Sequence, residues 1–140
     1  MSASDHNDSI ALESLKSQLK DIVHIDSESI HSASFDGLKV FFSPTAVIRP
    51  KESSQVGVVL QLANEFCIPV TTKGAGSSLT GGATPIKGGW VLDLSLLNQI
   101  KIDVDNQVAH CGSGAIVADI QQQAAEQNLF YPPDPSSKMF

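Results

Sequence analysis

Residues 70–82 read Val70-Thr71-Thr72-Lys73-Gly74-Ala75-Gly76-Ser77-Ser78-Leu79-Thr80-Gly81-Gly82. Val70-Thr71-Thr72 has the β-branched content of a strand, and glycines follow at once. Gly74, Gly76, Gly81, Gly82, Gly88 and Gly89 make six of the ten glycines in the chain. With Pro85 among them, the stretch excludes a helix, and a connection of that length is either functional or disordered. A phosphate-binding P-loop needs Gly-x-x-x-x-Gly-Lys-Ser/Thr. Gly76 to Gly81 fits the first part, but Gly82 and Ala83 stand where lysine and the hydroxyl residue belong. A dinucleotide fingerprint needs Gly-x-Gly-x-x-Gly opening a helix; Leu79 replaces the third glycine, and Pro85 with Gly88-Gly89 forbids the helix. What remains is a loop whose successive amides wrap an anion such as a diphosphate, with Ser77 and Ser78 adding hydroxyls and Lys73 a cation. A plain surface loop without a ligand fits the same residues.

On the N-terminal side, Ile68-Pro69 closes a helix predicted to open at Ser53 or Ser54, with Val56, Val59, Leu60, Ala63 and Phe66 as its apolar stripe. Before it, Ala46-Val47-Ile48 reads as a short strand ended by Arg49-Pro50. Residues 24–42 are poorly periodic and read as an irregular connection anchored by Phe35 and Phe41. The first helix is expected from a cap at Asp8 or Ser9 to about Val23, with Leu12, Leu15, Leu19 and Ile22 on one face. On the C-terminal side, Trp90-Val91-Leu92-Asp93-Leu94 is strand-like. A hairpin follows from Ile100 to Cys111, turning at Asp105-Asn106 because both residues tolerate positive φ. Ala115 to Gln127 forms a last helix through Ile116, Ile120 and Ala124. Tyr131-Pro132-Pro133-Asp134-Pro135-Ser136-Ser137 is rigid and turn-rich, and Lys138-Met139-Phe140 reads as a chain cut inside a domain.

Composition removes several function classes. A formal charge of -6 argues against nucleic acid and against an anionic membrane as main partner. The polar, acidic start lacks a secretory signal, and no apolar run is long enough to span a bilayer. Cys67 and Cys111 stand alone and read as reduced core residues of a cytoplasmic protein. His6, His24, His31 and His110 show no metal-ligand spacing, and His110-Cys111 reads as half-buried sheet. Gly112-Ser113-Gly114 lacks the spacing of a hydrolase nucleophile elbow. Asp93 and Asp103 are expected in turn or cap roles, and Trp90 in the core.

From about Ala46 to Ser137 the chain resembles the FAD-linked oxidase N-terminal domain, the vanillyl-alcohol-oxidase or PCMH type. It is most similar to the glycolate oxidase flavoprotein and D-lactate dehydrogenase group. Four landmarks occur in order: Pro44-Thr45-Ala46-Val47-Ile48-Arg49-Pro50; Lys73 to Gly82; Gly112-Ser113-Gly114 before a helix; and Leu129-Phe130-Tyr131-Pro132-Pro133-Asp134-Pro135-Ser136-Ser137. Two features depart from the family. Lys73 stands where the family usually has arginine, which loses the bidentate fork. The family's Thr-Ile-Gly-Gly-Asn-like stretch would begin after Phe140, so no catalytic residue carries over.

The resemblance implies an α+β fold: a small parallel β-α-β subdomain built on the strands at Ala46 and Val70, then a mostly antiparallel part from Trp90 onward, incomplete at its end. Residues 1–43 would be an N-terminal helix and connection, and 44–140 the first portion of the flavin domain. The implied cofactor is FAD, held non-covalently because Ser77 and Ser78 stand where some relatives carry a tethering histidine. The implied contacts are Thr72, Lys73, Gly74, Ala75, Gly76, Ser77, Ser78, Leu79 and Gly81, with Pro133, Asp134 and Ser137 as a second set. The implied activity of the parent enzyme is oxidation of a small 2-hydroxy acid. Two rivals stand beside it: a fragment that binds no flavin, and a related flavin enzyme acting on an alcohol or ether-lipid precursor. Self-association or companion subunits are the expected protein partners.

Overall fold

The computed structural model describes residues 3–137 and 139. Helix α1 (Ala3–Leu19) passes through a 3-10 turn (Lys20–Ile22) into β1 (Val23–His24). It starts earlier than its apolar pattern suggests, because residues 3–8 are polar and carry no periodicity. Asp8 is not its cap; its Oδ1 accepts the indole N–H of the buried Trp90 at 2.7 Å, tying helix to sheet. The stretch expected to be irregular holds a second helix, α2 (Ser27–Ala33). Asp26 caps it by accepting the Ser29 amide at 2.8 Å. This helix escapes a periodicity search because Ile30 and Ala33 are its only apolar residues and the buried Ser29 is polar.

Strand β2 (Ala46–Ile48), helix α3 (Ser53–Glu65) and strand β3 (Val70–Lys73) form the expected crossover. Glu52, not a serine, is the N-cap of α3, in a reciprocal capping box with Gln55. Its buried stripe is Val59, Leu62 and Ala63, whereas Leu60 faces solvent. Cys67 then takes a left-handed conformation (φ 56°) that stops the helix and leaves its thiol exposed rather than in the core.

Strand β4 (Trp90–Asp93) is the main topological surprise. The four-stranded sheet runs β1-β2-β4-β3, so β4 pairs in parallel with both β2 and β3. Apart from β1, which pairs antiparallel with β2 at one edge, the antiparallel part therefore begins after β4, at the hairpin β5 (Ile100–Asp103) and β6 (Val108–Cys111). Parallel neighbours need a long crossover, and between β3 and β4 residues 74–89 provide it without a helix. The glycine-rich segment is thus a connection demanded by topology as well as a candidate site. Strands β2 and β4 are buried on both faces, which explains their unbroken apolar runs. Ala46, Ile48, Trp90 and Leu92 pack on α1 and α3, while Val47 and Val91 pack on α2.

In the hairpin loop the positive φ falls on Gln107 (55°), not on Asp105 or Asn106. Asp103 instead holds the turn by accepting the Asn106 backbone and side-chain N–H groups, at 3.0 and 2.9 Å. His110 and Cys111 are exposed on β6 rather than half-buried. Helix α4 (Val117–Glu126) buries Ile120 and Ala124 and ends at a left-handed Asn128. No helix among the described residues is long and apolar enough to cross a membrane.

Candidate functional site

Strands β2, β4 and β3 end together, and their last residues bring three charges into one row: Arg49 beside β2, Asp93 on β4 and Lys73 on β3. Arg49 Nε donates to Asp93 Oδ2 at 3.0 Å, and the Ser95 amide donates to Asp93 Oδ1 at 3.1 Å. The glycine loop leaves β3 directly above this row. Gly76 is left-handed (φ 71°), and a Cβ there would stand 2.6 Å from the Lys73 Cε. Backbone conformation requires glycine at that position, and a side chain there would also displace the end of Lys73. Among the described residues, no protein acceptor meets the amides of Ala75, Gly76, Ser77 and Ser78. A run of open donors on a glycine-rich turn is the arrangement that receives an anion.

A second turn, Gly112-Ser113-Gly114, joins β6 to α4. The Gly112 and Gly114 amides donate to Gln99 O and Leu97 O, both at 2.9 Å. A Cβ on Gly112 would collide with the Leu97 carbonyl, so this turn is pressed onto residues 97–99. Ser113 O lies 3.9 Å from where a Gly74 Cβ would be, so the two glycine turns face one another. Between them opens a cavity of about 390 Å³ whose walls include Ala75, Ser77, Ser95, Asn98, Ser113 and Ile116. A larger cleft of about 550 Å³ lies at the opposite, amino ends of the strands, around Phe66, Pro69 and Gly89. Its walls are mostly apolar and suit an anion poorly, so the cavity between the two glycine turns is the better candidate. No His/Cys/Asp/Glu cluster able to hold a metal occurs among the described residues.

Sequence reasoning places Lys73 as the cation for a bound phosphate. In the structure its Nζ turns under the loop and donates to Ser32 O and Phe35 O, each at 2.7 Å. Burial lowers its pKa, against the opposing pull of Asp93 and Asp36. Asp36 is itself buried. That burial works to raise its pKa, yet the Leu38 and Ala83 amides hold the carboxyl below its ordinary value. The buried Thr84 hydroxyl beside this site adds to the same lowering.

Thr72, Lys73, Gly74, Ala75, Gly76, Ser77 and Ser78 are brought together at the sheet edge. The Ser78 hydroxyl is already engaged with Thr80 Oγ1 at 2.9 Å, whereas Ser77 is exposed. Leu79 projects into solvent at 73% exposure, and Gly81 (φ 77°) turns the chain back. Pro133, Asp134 and Ser137 do not line the cavity; the Pro133 carbonyl is held by Gln121 on α4 at 2.8 Å. Sequence reasoning passed over Ser95 and Asn98 on the cavity wall, and Asp36-Gly37 behind the loop. Asp-Gly is a turn signal, so the last pair was detectable in principle. Lys138 and Phe140 lie outside the described residues.

A family model described as "FAD binding domain" matches residues 44–139. The chain is 37% identical over 92 residues to D-lactate dehydrogenase of Archaeoglobus fulgidus, covering 66% of this chain and 21% of that protein. It is 35% identical over 122 residues to the glycolate oxidase subunit GlcD of Escherichia coli, covering 85% and 24%. The chain thus spans between a fifth and a quarter of these relatives' length. Among solved structures it is similar to p-cresol methylhydroxylase, with a TM-score of 0.76 and 26% identity over 89% of this chain and 25% of that one.

Proposed function

Because the chain belongs to the FAD binding domain family, with a PCMH-type fold, we propose that it holds the FAD diphosphate in an enzyme oxidising a small 2-hydroxy acid of the glycolate or D-lactate kind. The carrying observation is the set of open amides at residues 75–78, on a loop whose Ala75 and Ser77 line the cavity together with Ser113 and Gly114. The cavity suits a diphosphate and its immediate attachments; the rest of the dinucleotide extends beyond it. Thr72, Gly74, Ala75, Gly76, Ser77, Ser78, Leu79 and Gly81 form the primary set, with Lys73 holding the loop from behind. Pro133, Asp134 and Ser137 form a second set that reaches the cofactor further along. The names of the relatives support the substrate class.

When bound, FAD supplies the redox chemistry, uptake of a hydride from the α-carbon of the hydroxy acid. The chain contributes amide donors and a rigid sheet edge to orient the cofactor. With Ser77 and Ser78 in the loop and no histidine between Lys73 and Gly89, attachment is non-covalent. We divide the chain at residue 44, with residues 1–43 as a lead-in whose Ala11 and Leu15 join the core. A cytoplasmic setting belongs to the same reading and is supported by the two exposed free thiols. Self-association or companion subunits are supported by exposed Phe41, Ile86 and Phe130.

The test is a fluorescence titration of the 140-residue chain with FAD, ADP and riboflavin. Saturable binding of FAD and ADP with riboflavin at least tenfold weaker supports diphosphate recognition. Equal binding of riboflavin and FAD, or no binding of FAD, refutes it for this chain.

A further inference from the structure

The glycine loop is held from behind by a segment that lies ahead of the family-matched residues. Lys73 Nζ donates to Ser32 O and Phe35 O, at the C-terminal end of α2, where carbonyls lack helical partners. Its ammonium also stands 5.8 Å from the Phe35 ring centre. Above the lysine stem sits Gly76, close enough that a Cβ would strike it. At the middle of the loop, a Cβ on Gly37 would meet Ser78 O at 2.7 Å. At its far end, Asp36 Oδ2 faces the Ala83 amide at 3.5 Å. Three contacts along one side thus fix residues 73–83 against residues 32–37.

We propose that Lys73 is a positioning residue that locks the glycine loop onto the end of α2, and is not a ligand of the bound anion. Two of its three N–H donors are committed to carbonyls, and its stem lies under the loop rather than in the cavity shared with Ser113. Binding of the anion then falls to the amides of residues 75–78, whose direction the lysine sets at a distance. Segment 32–37 is part of the binding machinery although it contributes no ligand. The flavin arm of this inference rests on the reading of residues 74–78 as a diphosphate loop; the lock itself does not.

The experiment uses the 140-residue chain and its Lys73→Met and Lys73→Arg variants, with hydrogen exchange read segment by segment without flavin. In Lys73→Met, exchange of the hydrogen-bonded amides of Ser34, Leu38 and Lys39 on one side of the contact and of Ala83 and Thr84 on the other rises at least tenfold while β2 and β4 stay protected; Lys73→Arg, which can still donate to both carbonyls, restores slow exchange. Unchanged exchange in Lys73→Met overturns the lock. If Lys73→Met unfolds, Gly37→Ala pushes the loop from the other contact without altering charge and is expected to speed exchange of the same amides; no change there also overturns it. A FAD titration against ionic strength then separates the two roles. A positioning lysine gives weaker binding in Lys73→Met, at least tenfold, with the salt dependence of the wild type. A flattened salt dependence in Lys73→Met shows direct phosphate contact and refutes the positioning role. Absence of FAD binding by the wild type refutes the diphosphate reading while leaving the exchange result to decide the lock.

Discussion

At Gly76 two constraints coincide, a left-handed φ of 71° and the Lys73 stem 2.6 Å from any added Cβ. Gly76→Val is therefore expected to cost about 1–3 kcal/mol in urea unfolding. It should also weaken FAD binding by more than that loss of stability explains, because the strained loop re-aims its amides. Asp36 gives a pH prediction. Its folded pKa is depressed, so its contribution is complete above the ordinary value of 3.8 and is lost as pH falls below it toward the folded value. Asp36→Asn should be less stable than wild type at pH 6, and the gap between their urea midpoints should narrow as pH drops through that window. A gap that is constant with pH would show that the carboxyl charge has no stabilising role.

Among the secondary-structure elements, α2 has the most at stake for its size. Its cap, Asp26, accepts the Ser29 amide, and Asp26→Ala should cost about 1 kcal/mol, within the usual range for lost caps. Because α2 ends at the carbonyls that Lys73 grips, the same variant should also speed exchange of the bonded Ala83 and Thr84 amides, far away in sequence. These relations show why legibility was uneven. Strands β2 and β3, helices α3 and α4 and the hairpin announce themselves through apolar spacing and turn residues. The loop announces itself through glycine. Helix α2 has too few inward apolar residues to create a period, and Lys73 reaches Ser32 across a sequence separation that no local pattern encodes. Position β4 was half-legible: its unbroken Trp90-Val91-Leu92 run marks a strand covered on both faces, but not which strands flank it.

In the molecule as a whole, the four-stranded sheet, parallel except for β1, is a central layer with α1 and α3 on one face and α2 on the other. Leu92, on the central strand and 1% exposed, has little room to relax. Leu92→Ala should cost about 2–5 kcal/mol, a large share of the roughly 5–15 kcal/mol expected of a domain. Urea unfolding followed by Trp90 fluorescence would report it. The sheet also explains where binding belongs. Open sheets of parallel strands bind ligands outside the carboxyl ends of those strands; there Lys73 hands the chain to the glycine loop, and Asp93 to residues 94–99, on which the Gly112-Ser113-Gly114 turn sits. The amino ends offer more volume but mostly apolar walls.

The most direct test is a two-dimensional amide NMR spectrum of the 140-residue chain titrated with ADP, which carries the diphosphate without the flavin. The account predicts the largest shifts at residues 75–78, with a second group at residues 113–115 across the cavity. Shifts concentrated around Phe66, Cys67 and Gly89, or none at saturating ADP, would contradict it.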